Sequence, residues 1–425
     1  MLLLRFKVCF VRDDGDIAIL GAGMAGGIAA VTLRKEGFDG RLVLIGEEPG
    51  LPFGRPPLTK EYLRGEGDLE SWQVKPAGWY KDYDVEIVRA RAVRLDVKKR
   101  RVLLNKGKAV HFAKLLIATG GRNRRLTVRG ARLDGVHQLR TAAECDAIKK
   151  RCRPGARVVV VGMGFIGCEV AASLRQLGLE VTVVLDGPSP LVKVLGPEVG
   201  RVIGDFHRDA GVELVPNDQV IRFEGPTRVR KVITKGARSI PCDFVVAAVG
   251  IEPNIDLLAG TAVATDNGVL VNTRCQTSVP GIFAAGDVAN HLHPVFGRIR
   301  VEHYNNTEKM PAAAARSMLG DRRPYDYIHS FWSDQFAEKL EYVGHVKEWD
   351  DLVIRGDLGT KRFVGFYLVK GRMKAAVGLN RGGDPEIDKD GELAKAATLI
   401  AGKTRVSRTD LLDETVDLGT LIPRA

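Results

Sequence analysis

Two glycine-spaced stretches carry the first chemistry in this sequence, Gly21-Ala-Gly-Met-Ala-Gly26 and Gly162-Met-Gly-Phe-Ile-Gly167. Each follows a short apolar run and opens a helical stretch, the context in which this spacing binds a dinucleotide. Gly21 and Gly162 permit a tight turn. Gly23 and Gly164 let the backbone approach a pyrophosphate. Gly26 and Gly167 let the helix pack close to the strand. The helix N-terminus then offers unpaired N–H groups and a positive dipole to the phosphates. Glu47, at the end of the strand that follows the first motif, can accept hydrogen bonds from both ribose hydroxyls of an adenosine. In the second copy Leu185 takes the place of Glu47 and cannot bind a ribose. Asp186, one step on, can do so if the strand end twists. Asp186 would repel a 2′-phosphate, and no Arg follows it directly, so the reading favours NADH over NADPH. A third stretch, 277–287, is an apolar strand that delivers Gly286 and Asp287 to its C-terminal end. A carboxylate there can accept from the ribityl hydroxyls of a flavin; taken alone, the stretch reads equally well as a strand ending in a Gly-Asp turn.

The elements that must position these residues follow from the pattern. Residues 17–20 read as a buried strand, a helical stretch runs to about Gly37, and residues 42–45 form the next strand, which makes one βαβ unit. The same grammar returns with a strand at 157–161, a helix at 168–177 and a strand at 181–184. This is a duplicated nucleotide-binding unit and not a short-period repeat. Two further apolar strands end in glycine, Leu115-Leu-Ile-Ala-Thr119-Gly120 and 244–250, the latter closing on Gly250. They read as crossings between two domains. From about Tyr325 the composition changes. Trp332, Phe336, Tyr342, Phe363, Phe366 and Tyr367 fall in strand-like alternation and a helix follows near 391–402, as in an α+β domain. The expected division is 1–125 with 255–325, then 126–254 inserted, then 326–425.

The chain has 425 residues, too many for one ordinary core. A hydrophobic content of 45% and a mean hydropathy of −0.06 fit a soluble globular protein and exclude a disordered one. No run approaches the roughly 20 apolar residues that span a bilayer. The opening MLLLRFKVCF lacks a small-residue cleavage site and does not read as a signal peptide. The six cysteines form no C-x-x-C or C-x₄-C pair, which argues against a disulfide framework or zinc site and for a reducing cytoplasm. His291 and His293 read as two histidines in a loop without further ligands, so no metal is expected. The net charge of +12 favours acidic partners, and no nucleic-acid-binding fold is visible.

With these residues assembled, the chain resembles the flavoproteins with two dinucleotide-binding domains. More narrowly, it is similar to the bacterial ferredoxin and rubredoxin reductases that serve oxygenases, and to their relative apoptosis-inducing factor. The carrying stretches are Arg55-Pro-Pro-Leu-Thr-Lys60-Glu-Tyr-Leu, Gly164-Phe-Ile-Gly-Cys-Glu169, 277–287, Arg300-Val-Glu-His303 and Phe331-Trp-Ser-Asp-Gln335. The resemblance implies an α/β fold of two Rossmann-like, glutathione-reductase-like domains plus a C-terminal α+β interface domain. It implies FAD at Gly21, Gly23, Gly26, Glu47, Thr119, Gly120, Gly286 and Asp287, with Arg55 near the adenine half and Lys60 near the isoalloxazine. NADH would lie at Gly162, Gly164, Phe165, Ile166, Gly167, Asp186 and Gly250, with Glu169 accepting a hydrogen bond from the carboxamide. Trp332 would lie close to the flavin on the side where a redox partner docks. Thr59 stands where Ser is usual, Tyr304 where Trp is common, and Leu185 where Glu is usual.

The activity so implied is NADH-dependent reduction of FAD and one-at-a-time delivery of electrons to a [2Fe–2S] ferredoxin or a rubredoxin, serving an oxygenase or haem monooxygenase. Lys60, Glu169 and Trp332 are the catalytic candidates. Lys60 could stabilise negative charge on the reduced ring; outside its motif it would read as a surface lysine. Glu169 early in a helix also helps the dipole without any ligand. Thiol chemistry is disfavoured, because Leu51-Pro-Phe-Gly-Arg-Pro-Pro57 holds no cysteine and Cys168 reads as a packing residue. The basic runs 98–101, 122–125 and 149–151 read mostly as solvated faces, with part available to dock an acidic ferredoxin. The expected protein is cytoplasmic, a monomer or homodimer, with no nucleic-acid or membrane partner. Two alternatives remain: a redox signalling protein like apoptosis-inducing factor, and a reductase of quinones or an ascorbate radical.

Overall fold

The computed structural model describes residues 15–105 and 107–423; the opening MLLLRFKVCF, with Cys9, lies outside them. The chain begins with β1 (Ile17–Leu20), α1 (Met24–Lys35), β2 (Leu42–Gly46), β3 (Val85–Arg89) and β4 (Lys114–Ile117). It leaves through the short β5 (Gly121–Asn123). The second unit follows as β6 (Val136–Gln138), β7 (Arg157–Val161), α2 (Phe165–Gln176), β8 (Glu180–Val184), α3 (Val192–Asp209), β9 (Glu213–Val215) and β10 (Phe244–Ala247). β11 (Ile251–Pro253) returns the chain to the first unit, where β12 (Ile282–Ala284), β13 (Ala289–His293) and α4 (Tyr304–Met318) complete it. The last unit holds β14 (Ser330–Gln335), β15 (Glu338–Gly344), β16 (Asp351–Asp357), β17 (Arg362–Val369), β18 (Arg372–Leu379) and α5 (Glu392–Ala401).

The Val-, Ile- and Leu-rich runs are buried along their length, as strands covered on both faces must be. They form two parallel sheets, in the orders β12-β4-β1-β2-β3 and β9-β8-β7-β10-β6. In each sheet the order reverses at the strand that leads into the glycine turn, which opens a ligand crevice at its carboxyl end. β5 and β11 pair antiparallel, Ile251 opposite Asn123, and make a two-stranded bridge between the units.

The third sheet is antiparallel, β14-β15-β18-β17-β16. Its alternation serves two cores. Tyr342, Phe363, Tyr367, Ala375 and Val377 join the cluster that holds the second sheet together with Phe53, Leu58 and Leu63 of the first unit. Val343, Val364, Phe366 and Ala376 pack under Leu393, Ala396 and Leu399 of α5. Three local expectations need correction. The second nucleotide helix begins at Phe165, three residues before the expected start. Phe336 is a turn residue with φ of 58°, between Gln335 and Glu338 of the first hairpin. His291 and His293 lie in β13 and not in a loop.

Candidate functional site

The glycine turns show which positions the protein's own packing demands. Gly21 has φ of 122°, and a Cβ there would lie 2.1 Å from Ala118 O. A Cβ on Gly26 would lie 1.9 Å from Gly21 O, so α1 can approach β1 this closely only without a side chain. Gly23 differs: its added Cβ would meet only Arg55 Nη2, at 4.0 Å. The second turn repeats the contrast, with Gly162 and Gly167 crowded and Gly164 meeting nothing within 4 Å. Packing within the chain does not demand the middle glycines, and the space they leave fits a pyrophosphate. Neither helix has a side-chain cap or an acidic residue in its first turn, so the N–H groups and the dipole are open to an anion.

Around the first turn, Glu47 lies exposed past the end of β2, while the adjacent Glu48 pairs with Arg55 at 2.6 Å. Arg55 also donates to Arg140 O. At Gly286, with φ of 77°, an added Cβ would lie 2.9 Å from Ala25 Cβ on α1. Asp287 is 5% exposed; its Oδ2 accepts from Arg140 Nη2 at 2.5 Å, and its Oδ1 has no partner. An orphaned buried carboxylate oxygen beside an open glycine turn fits a hydroxyl-bearing ligand such as the ribityl chain of FAD. Arg140 belongs to this cluster and escaped the sequence reading, because it stands in Leu139-Arg-Thr141, outside every motif. Thr119 and Gly120 sit past the end of β4, where Thr119 Oγ1 donates to Asn254 O at 2.8 Å and ties the outgoing strand to the returning one.

Lys60 is not a surface lysine. It is 7% exposed, and its Nζ lies 3.0 Å from Glu169 Oε2. Thr59 donates its hydroxyl to the same oxygen at 2.5 Å, and Ser333 donates to Oε1 at 2.8 Å. Glu169 is itself 7% exposed. Its carboxylate, carried by α2 of the second unit, thus gathers donors from the first unit and from β14 of the third. Phe165 packs edge-on against Phe331 with centroids 4.7 Å apart. Trp332, on the other face of β14, is half-buried and meets Tyr304 edge-on at 5.3 Å. Ser333 lies within the stretch Phe331–Gln335, but nothing local points it at a residue so distant in sequence.

The remaining candidates of the second unit lie at the carboxyl ends of its strands. Leu185 is 4% exposed, part of the core at the end of β8. Asp186 is exposed, two residues past the end of β8, and pairs with Lys193 at 2.8 Å. Gly250 is exposed, with φ of 91°, at the start of the returning crossing. The basic runs are largely committed to the chain itself. Arg122 clamps Glu252 and Asp256, Arg151 pairs with Asp134, and Lys149 lies over the Tyr62 ring. Cys145, Cys242 and Cys275 are buried with thiols pushed up to about 12, and burial raises Cys168 and Cys152 as well. None of these five is a ready nucleophile. His291 and His293 pack against His329, with His291 and His329 Nε2 atoms 3.3 Å apart, yet no group of metal ligands occurs among the described residues. No described helix is long and apolar enough to cross a membrane.

Residues 15–316 match the family described as pyridine nucleotide-disulphide oxidoreductase, and residues 330–422 match the reductase C-terminal family. The chain is 34% identical over 408 residues to the ferredoxin–NAD(+) reductase component of the biphenyl dioxygenase system of Paraburkholderia xenovorans, covering 96% of this chain and 98% of the relative. The ferredoxin reductase for the CYP199A2 system from Rhodopseudomonas palustris superposes with a TM-score of 0.90 at 34% identity, over 97% of this chain and 100% of that one. The covalent putidaredoxin reductase–putidaredoxin complex matches with a TM-score of 0.90 at 30% identity, over 96% and 98%.

Proposed function

The chain belongs to the pyridine nucleotide-disulphide oxidoreductases and carries their reductase C-terminal domain, and from that premise we propose that it is a ferredoxin–NAD(+) reductase of an oxygenase system. Membership implies FAD and a pyridine nucleotide. The observation that carries the reading is the buried Lys60–Glu169 pair joining the two glycine-turn units, with Trp332 on the neighbouring strand. Bound FAD supplies hydride acceptance and single-electron release. Gly21, Gly23 and Gly26 would take its pyrophosphate, Glu47 its adenosine ribose, and Asp287, oriented by Arg140, its ribityl hydroxyls. Arg55, Thr119, Gly120 and Gly286 would border it. Gly162, Gly164, Phe165, Ile166, Gly167 and Gly250 would seat the nucleotide.

In this reading Lys60 sets a fixed positive charge where negative charge develops, in a site poor in water. Glu169 presents an acceptor to the carboxamide of the nucleotide. The aromatic side chains of β14 and Tyr304 exclude solvent from the partner's side. Among the described residues no cysteine is a ready nucleophile, so the reading calls on no thiol step. NADH is the proposed donor, because the relative matched over nearly the whole chain is a ferredoxin–NAD(+) reductase component and Asp186, if the end of β8 turns it to the ribose, would disfavour a 2′-phosphate. The proposed acceptor is an acidic [2Fe–2S] ferredoxin or a rubredoxin, drawn by the excess of basic residues. Residues 1–125 with 255–325 are assigned to FAD, 126–254 to the nucleotide and 326–425 to the partner side.

Anaerobic titration of the purified protein tests this. NADH should bleach a flavin spectrum within a few equivalents, and NADPH should do so poorly. A slow change into a persistent long-wavelength band would instead favour a redox signalling role. A well-folded preparation that contains and binds no flavin would overturn the reading.

A further inference from the structure

Behind Glu169 runs a line of buried polar side chains that the proposed reaction does not use. Ser333, Gln335 and His207 are 0%, 1% and 0% exposed. Gln335 Nε2 lies 3.0 Å from Ser333 Oγ, and His207 Nε2 lies 3.0 Å from Gln335 Oε1. Ser333 and Gln335 alternate along β14 on the face turned to α2 and α3, while Trp332 takes the opposite face. His207 comes from the last turn of α3 and is wedged between Phe206 and Phe336.

The proton positions in this line follow from the carboxylate at its end. An ionised carboxylate only accepts, so Ser333 must spend its single proton on Glu169. The Ser333 oxygen is then left to accept from the Gln335 amide. The Gln335 carbonyl therefore faces His207, whose Nε2 must carry the hydrogen. All three bonds point the same way, toward Glu169, and such chains polarise one another in a low-dielectric interior.

We infer that Ser333 and Gln335, backed by His207, are positioning residues that fix the Glu169 carboxylate, so that the C-terminal sheet takes part in seating the reduced nucleotide. This rests on the reading in which Glu169 meets the nicotinamide. Thr59 and Lys60 occupy Oε2 from one side and Ser333 holds Oε1 from the other. With the third donor gone, the carboxylate can rotate toward Lys60, and the buried Gln335 amide loses its acceptor.

The test is NAD⁺ binding to the oxidised, flavin-loaded protein by calorimetry, alongside kcat and KM for NADH with a one-electron acceptor. Ser333→Ala should weaken NAD⁺ binding and raise KM for NADH about tenfold, the loss of one hydrogen bond to a charged group, with kcat little changed. Ser333→Thr should restore both. Gln335→Glu keeps the shape but cannot donate to Ser333, whose proton turns away from Glu169; it should give the same loss, and the double variant Ser333→Ala/Gln335→Glu should be no worse than either single one. Gln335→Glu carries the test if Ser333→Ala does not fold. Folded variants that bind NAD⁺ like the parent, or single losses that simply add, would overturn the inference. A parent protein that neither binds NAD⁺ nor oxidises NADH would overturn the functional reading and this inference with it.

Discussion

The cluster around Glu169 sets one buried cation against one buried anion with two neutral donors to help. Removing one partner of such a pair costs more than removing both, because it leaves a charge without compensation. Lys60→Met should lower stability by about 3 kcal/mol in urea unfolding. Lys60→Met combined with Glu169→Leu should lower it by less than the sum of the single changes. A strictly additive result would mean that the two side chains do not interact. Asp287→Ala should leave the protein folded but largely stripped of flavin, read from the ratio of visible to ultraviolet absorbance. The sequence disclosed Lys60, Glu169 and Asp287 because each stands in a local pattern. Thr59 was visible only as a departure from Ser, and Ser333 and Arg140 were silent. Their partners come from other sheets, and no short window of sequence contains both ends of such a contact.

At the scale of elements, the glycine turns separate what folding needs from what a ligand needs. Gly26→Ala drives a methyl into the Gly21 carbonyl, so α1 must move off β1, with a loss of about 2 kcal/mol or more and a lower melting temperature. Gly23→Ala meets open space at a φ of −88°, which alanine adopts freely. It should melt like the parent while releasing flavin more readily in dialysis. Equal effects from the two changes would remove the argument that Gly23 answers to a pyrophosphate. The strands and helices of both parallel units were legible because buried Val and Ile runs and glycine turns are local signals. Phe336 was misread because an aromatic residue in a two-residue turn keeps the alternation of its neighbours. His291 and His293 gave no sign of His329 and His345, which another segment brings beneath them.

At the scale of the whole molecule, burial holds the core imidazoles neutral. His207, His303 and His345 sit at about 4 and His291 at about 3, against 6.5 for a free side chain. As pH falls from about 6.5 toward 4 the unfolded chain takes up protons that the native one refuses, so stability is full above that window and drops within it. Thermal unfolding followed from neutral to acid pH should show this decline; a flat profile would mean that these rings are hydrated. The net charge of +12 acts at longer range. Reduction of an acidic ferredoxin should slow as salt is raised, whereas oxidation of NADH with ferricyanide should respond far less.

The interleaving of the two parallel sheets also bears on the order in which the protein can be made. β4 emerges from the ribosome early, but its partner β12 lies beyond the whole second unit. The inserted sheet holds all its strands by residue 247, while the first must wait for residues 282–284 with one edge of β4 bare. A growing chain therefore completes its later unit before its earlier one. Through that interval the apolar Leu115-Leu-Ile117 edge is open to pairing with a neighbouring nascent chain, which makes it the point where a chaperone would be needed most.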